Sequence, residues 1–406
     1  MRIVHVVTLV SDDGAYGGPT SVAVGQLEEC AARGHEVTLV SLWRGSRPAP
    51  ARVGRVPLRS RPARSLLPGR FTGLMHPLLV GDMWRAMGRA DVVHLHAGRD
   101  LVSLTALAVA ALRRKRFVVQ THGMVQPRRR AVVRLFDRVY VPLLRRAAGC
   151  LVLTEQERRA VAEVIGADHP PLLTLPNGVR PEPRTGPQHP RRDREVLFLA
   201  RLHPRKRPAV FVEMAALVHR EMPDARFTLH GPDEGALAEV LRLIAAHGLE
   251  GVVSYGGALD HAEAVRAYAR AAVYVLPSVD EPFGMTLLEA LAAGTPVVCT
   301  DTCGIAEELS GRGAAVVTDG SPQDMAGAVR DLLADAGKRE LIAAAGYRAL
   351  AEAFSVHTVM NRLEEIYRGR GAAAAPVGHG RGYAPGRALP TPTPTDSRTG
   401  MPGPMG

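Results

Sequence analysis

The sequence predicts an α/β protein made of two doubly wound, Rossmann-like domains that face each other across a cleft. Three observations predict it. Short apolar, β-branched runs alternate with helix-forming stretches through the first 368 residues. The alternation stops at a Pro/Arg-rich stretch, 181–194, and then starts again. A chain of 406 residues is also long for a single core, so two domains of ordinary size are expected.

The first domain is expected over residues 1–180. It opens with a strand at 2–10, followed by a polar loop at 11–19 that carries Gly14, Gly17 and Gly18. A helix over 20–33 and a strand over 37–40 complete a βαβ unit with a right-handed crossover. Further strands are expected at 91–96, 116–121 and 150–154, with a helix from 155. The second domain, 195–353, repeats the pattern with strands at 195–200, 226–230, 252–255, 272–276 and 296–300. Its first helix, 208–220, begins with Pro208, a favoured first position. Residues 369–406 are rich in Gly, Ala, Pro and Thr, a composition expected to stay disordered.

Composition narrows the function. Aromatic residues make up 4% of the chain, too few for base-stacking platforms, so no nucleic-acid partner is expected. Cys30, Cys150, Cys299 and Cys303 show no zinc-site spacing and read as reduced thiols of a cytoplasmic protein. The apolar start is too short for a signal peptide core, and the longest uncharged apolar stretch, 101–112, is too short to span a bilayer. The net charge of +11 is uneven: residues 1–180 hold 27 Lys/Arg and 13 Asp/Glu, leaving −3 for the rest. An anionic partner for the first half follows. Arg130, Arg134 and Arg138 recur every four residues, with Val133, Phe136, Val139 and Tyr140 between them. That stretch reads equally as a membrane-surface helix, at an anionic inner face, or as a solvated helix packed on the first domain.

Residues 273–300 carry most of the chemistry. An apolar strand ends at Leu276, and Glu281 lies in the loop beyond it, where open α/β sheets bind ligands. Gly284 precedes a helix whose first N–H groups, at Met285, Thr286 and Leu287, suit a phosphate or a sugar oxygen. Glu289 sits among Leu287, Leu288, Ala290 and Leu291, where a carboxylate needs fixed hydrogen-bond partners such as sugar hydroxyls. Gly294, Pro296 and Val297 then lead into the next strand. This Glu-x7-Glu pattern with its Gly-x-Pro-Val strand resembles the signature of retaining GT-B glycosyltransferases of the group 1 type, glycosyltransferase family 4. The resemblance runs over residues 1 to about 368 and is densest from 195 to 310.

The resemblance implies a GT-B fold with its active site between the domains, and a last helix, 354–368, packed back on the first domain. It implies transfer of a hexose from a nucleotide diphosphate sugar, UDP-linked ahead of GDP-linked, to a hydroxyl acceptor with retention. Arg201 and Lys206, in the loop after the second domain's first strand, match the family's diphosphate clamp. His122 falls where the family places a histidine on the donor sugar, and Gly17 and Gly18 match the loop that lets backbone approach the diphosphate. Glu281 would hold the donor sugar or its oxocarbenium-like centre, and Glu289 the ribose. The Gly14-x-x-Gly17-Gly18 loop is not a dinucleotide fingerprint. No Asp-x-Asp occurs, so no metal or other cofactor is expected. The acceptor stays open among a cell-surface glycan, a lipid-linked glycan and a soluble small molecule. A GT-B nucleotide-sugar epimerase, and a basic nucleic-acid-binding or non-catalytic scaffold, are the rival readings.

Overall fold

A parallel strand is buried on both faces, so the apolar runs of this chain need helices on both sides of each sheet. The computed structural model supplies them, and describes residues 1–12, 17–66, 71–180 and 194–370. All but residue 194 of the expected linker, and all but residues 369–370 of the expected tail, lie outside the described residues.

The first sheet has eight strands. Across it run Leu172–Thr174, Gly149–Val152, Phe117–Gln120, Val92–His96, Arg2–Ser11, Glu36–Arg44, Val56–Pro62 and Arg52–Val53. Every pairing is parallel except the last, a hairpin. The second sheet is wholly parallel, in the order Val253–Tyr255, Arg226–His230, Glu195–Leu199, Val273–Leu276, Val297–Thr300 and Val316–Thr318. In each sheet the strand order reverses beside the first strand, which opens a crevice at the strands' C-terminal ends. Both domains are therefore doubly wound.

Several elements differ from the sequence expectations, and three of them are instructive. The first helix is Gly17–Ala32 and begins three residues early: Pro19 is tolerated in a first turn, and the Thr20 hydroxyl donates to the Leu9 carbonyl at 2.9 Å. Strands Val56–Pro62 and Val316–Thr318 were not foreseen. The first sets Arg59 and Arg61 on either side of Ser60 and ends in proline, and the second is only three residues long.

The last helix, Val356–Tyr367, lies on the first domain. Its Val359, Met360, Leu363, Ile366 and Tyr367 share one apolar cluster with Ile3, Val7, Leu27, Leu39 and Val118. The chain thus crosses between domains twice, and the crossings touch. Val179 N–H donates to the Phe354 carbonyl at 2.8 Å, and Val356 N–H to the Val179 carbonyl at 3.0 Å. Gly178 is required there, because a Cβ would lie 2.8 Å from the Val356 Cα. Among the described residues no helix is long and apolar enough to cross a membrane. All four cysteines are buried free thiols.

Candidate active site

The second domain's switch point delivers two loops to one place. One follows Glu195–Leu199 and carries Arg201 and the turn Pro204–Lys206; the other follows Val273–Leu276 and carries Glu281. Lys206 Nζ donates to Glu281 Oε2, and only 13% and 11% of the two side chains are exposed. The Val279 N–H donates to the Arg205 carbonyl at 3.1 Å, tying the two loops together. Arg201 instead turns to Glu234, with 2.7 and 2.8 Å contacts to its two oxygens, and stays half exposed.

Gly284 has φ +85 and ψ +57, a left-handed turn that glycine adopts without strain. A Cβ there would also come within 3.0 Å of Cys303 Sγ. The turn opens helix Met285–Ala292. The Leu287 N–H is not free: it donates to the Gly284 carbonyl at 3.0 Å, so Met285 and Thr286 keep the N–H groups without a partner among the described residues. Glu289 is half-buried on that helix, its carboxyl pushed up by burial, and accepts from the Tyr268 hydroxyl at 3.2 Å.

His122 comes from across the cleft. Its neighbour Gly123 presses on Pro282, where a Cβ would stand 2.7 Å from the proline Cβ. The two domains meet next to Glu281. His122 itself has φ +49, a left-handed backbone that a non-glycine residue holds only when its surroundings fix it. Glu157 does the fixing. Its buried carboxylate accepts from the Thr121 hydroxyl at 2.6 Å, from the Gly123 N–H and from the Leu153 N–H at 2.6 Å. Sequence reasoning missed Glu157, whose surroundings read as an ordinary helix start. His122 Nε2 meets His96 Nδ1 at 2.7 Å, and burial pushes its pKa down to about 3. Gly17 starts the first helix, at the cleft end of Arg2–Ser11, and Gly18 follows, exposed, with nothing within 4 Å of where a Cβ would sit.

The structure therefore brings Lys206, Glu281, Gly284, Met285 and Thr286 together, with His122 facing them and Arg201 and Glu289 at the margins. Two family models match the halves that build this arrangement: glycosyl transferases group 1 over residues 179–349, and a glycosyl transferase 4-like domain over residues 17–178. The chain is a group 1 glycosyltransferase. It is similar to the D-inositol 3-phosphate glycosyltransferase of Paenarthrobacter aurescens, 30% identical over 280 residues, which are 62% of this chain and 66% of that one. The chain thus spans just under two thirds of that relative. It is also similar to the phosphatidyl-myo-inositol mannosyltransferase of Mycobacterium leprae, 29% identical over 291 residues, 70% and 75% of the two chains. Among solved structures, Anabaena HepE in complex with UDP matches with a TM-score of 0.72 at 19% identity, covering 91% of this chain and all of that one. That likeness shows the fold, GT-B.

A cavity of about 370 Å³ on the first domain, lined by Arg2, Arg59, Arg85, Arg89, Arg113 and Trp84, lies at the strands' N-terminal ends, away from the cleft. It adds to the positive charge of that half and touches none of the site residues named above.

Proposed function

We propose that this group 1 glycosyltransferase moves a hexose from a nucleoside diphosphate sugar to a hydroxyl acceptor, with retention at the anomeric carbon and without a metal. The observation that carries the reading is the Lys206–Glu281 ion pair beside the Met285 and Thr286 N–H groups, which have no partner among the described residues. A cation and a helix N-terminus suit a diphosphate, and a carboxylate beside them suits the sugar. Residues 195–353 hold the donor in this reading, and residues 1–180 present the acceptor.

The bond between the anomeric carbon and the diphosphate oxygen breaks while the acceptor oxygen bonds to the same face. The acceptor proton passes to the departing phosphate oxygen. Arg201 and Lys206 take up the charge that grows on the diphosphate, which is binding stronger in the transition state than in the ground state. Glu281 holds the sugar hydroxyls or the cationic anomeric centre, Glu289 the ribose, and His122 the sugar from the other side. Complexes of HepE with UDP and UDP-glucose favour a uridine donor. The two relatives' names make an inositol phosphate or a phosphatidylinositol the first acceptors to try.

Nucleotide release by the purified protein is measured across UDP-, GDP- and ADP-sugars, with and without those acceptors and with EDTA. Turnover that needs an acceptor and survives EDTA is expected. Conversion of the donor alone would point to an epimerase, and loss with EDTA restored by Mg²⁺ would remove the metal-free clamp. A peripheral contact with an anionic inner membrane face, by a cytoplasmic enzyme, is favoured by helix Ala131–Leu144, which leaves Val132, Leu135 and Val139 exposed beside Arg134 and Arg138.

A further inference from the structure

We propose that His96, His5, Tyr367 and His94 form one hydrogen-bonded chain that sets the tautomer and orientation of His122, and so fixes the role its Nδ1 plays toward the donor. The inference rests on the reading of His122 as a donor-facing residue. His96 is then its positioning residue, and the last helix sets the chain through Tyr367.

The strand register builds the chain. His5 lies opposite His94 on adjacent strands, and His96, two residues on, points to the same face. Gln120 is the register partner of His96, and His122 follows it by two. The rings therefore line up on the face that Tyr367 covers. His122 Nε2 meets His96 Nδ1 at 2.7 Å, and His96 Nε2 meets His5 Nδ1 at 3.0 Å. His5 Nε2 and His94 Nδ1 each meet the Tyr367 hydroxyl at 2.8 Å. His5 and His94 are fully buried, and His96 and Tyr367 nearly so.

Burial holds all four imidazoles far below their ordinary pKa, so each is neutral. A neutral imidazole has one N–H and one lone pair. With the Tyr367 hydroxyl donating once, each bond fixes the direction of the next, and only two proton arrangements satisfy the whole chain. In one, His94 donates to Tyr367, Tyr367 to His5, His5 to His96 and His96 to His122 Nε2, which leaves the His122 proton on Nδ1. In the other, every bond runs the opposite way and the proton stays on His122 Nε2. The far end, where His94 also bonds the Gln120 side chain, chooses between them. Either choice holds His122 in one tautomer, with its Nδ1 left without a partner among the described residues.

Two substitutions at one position separate positioning from packing. An asparagine amide can replace a histidine Nδ1, and a glutamine amide its Nε2. His96→Asn should keep the bond to His122 and hold kcat within about 3-fold. His96→Gln should lose it and cost roughly 10- to 100-fold in kcat with donor KM little changed, the scale of a misplaced catalytic contact. Equal losses in the two variants would overturn the proposal. Independently of activity, ¹⁵N-histidine spectra report the tautomer, with the His122 signals assigned by their loss in His122→Ala. A single tautomer is expected in the unmodified protein and a mixture in Tyr367→Phe. A mixture in the unmodified protein, or spectra unmoved by Tyr367→Phe, would overturn the chain. So would stoichiometric zinc in the purified protein, because His5, His94 and His96 have ring nitrogens within 4.8 Å of one another. If no nucleotide sugar turns over, the functional reading fails, and the spectra still decide the chain.

Discussion

Lys206 and Glu281 are each other's counter-charge in the cleft, paired through Nζ and Oε2 and almost closed off from water. That pairing changes what a substitution does. From sequence, both residues are cleft-loop positions whose loss should spare stability. In the fold, removing one strands the other as a poorly solvated charge. Lys206→Ala and Glu281→Gln are each expected to lower kcat by about 100- to 1000-fold and also to cost about 1–3 kcal/mol of stability. The double variant should recover part of the stability and none of the activity. Urea unfolding of all three checks it. Strictly additive stability losses would mean that the ion pair does not form.

Glu157 holds the loop that carries His122, with three donors on one carboxylate. Glu157→Gln replaces one acceptor oxygen with an N–H that faces other donors. A stability loss of about 2–3 kcal/mol is expected, with a fall in kcat as the left-handed backbone at His122 relaxes. A thermal melt beside the nucleotide-release assay measures both. Unchanged kcat in a destabilised protein would make Glu157 a purely structural residue.

The fold was legible because fully buried parallel strands leave unbroken apolar runs, and Val273–Leu276 and Val297–Thr300 are such runs. Strand Val56–Pro62, paired on its outer side only at Val56 and Pro57, was not, because its arginines and prolines suit a half-covered edge. Helix Ala131–Leu144 was legible as amphipathic, although Val139, read with the apolar set, faces outward. Phe136 and Tyr140 turn inward, while Val132 and Leu135 face out with Val139. Period alone gives a stripe, and only packing tells which stripe is buried. Lys206 and Glu281 stand 75 positions apart, and their contact follows from the switch point. Nothing local in the sequence joins His5 to Tyr367, 362 positions away, or marks Glu157 as the support of His122.

The buried imidazoles make stability depend on pH in one direction. An unfolded histidine takes up a proton near pH 6.5. In the fold His122 does so only near 3, and His5, His94 and His96 stay well below 6.5 because burial disfavours their charged forms. Below about pH 6.5 the unfolded chain therefore binds more protons, and stability falls as pH drops toward 3. Above that range the four contribute no slope. A depressed histidine costs about 1.4 kcal/mol per pH unit, so His122 alone should remove about 1.4 kcal/mol between pH 7.5 and 5.5, and the other three add in the same direction. Urea midpoints at those two values test it, and equal midpoints would show that the rings ionise without unfolding.

Val132, Leu135 and Val139 are 62%, 63% and 57% exposed and fall at i, i+3 and i+7 on one helix. Arg128, Arg129, Arg130, Arg134 and Arg138 stand exposed before and beside them. An apolar stripe flanked by cations matches an anionic leaflet: the side chains enter the interface and the guanidinium groups meet lipid headgroups. Each cation near such a surface contributes roughly 1 kcal/mol, and each inserted side chain about 1.5–3 kcal/mol at full burial. The protein should co-sediment with vesicles rich in anionic lipid, release as salt screens the charge, and ignore neutral vesicles. Val132→Ser, Leu135→Ser and Val139→Ser together should weaken binding by at least about 10-fold at unchanged net charge. Binding that survives this triple substitution would be purely electrostatic, with the helix lying on the headgroups. Equal binding to neutral and anionic vesicles, or none to either, would remove the membrane contact and leave a soluble acceptor as the substrate to seek.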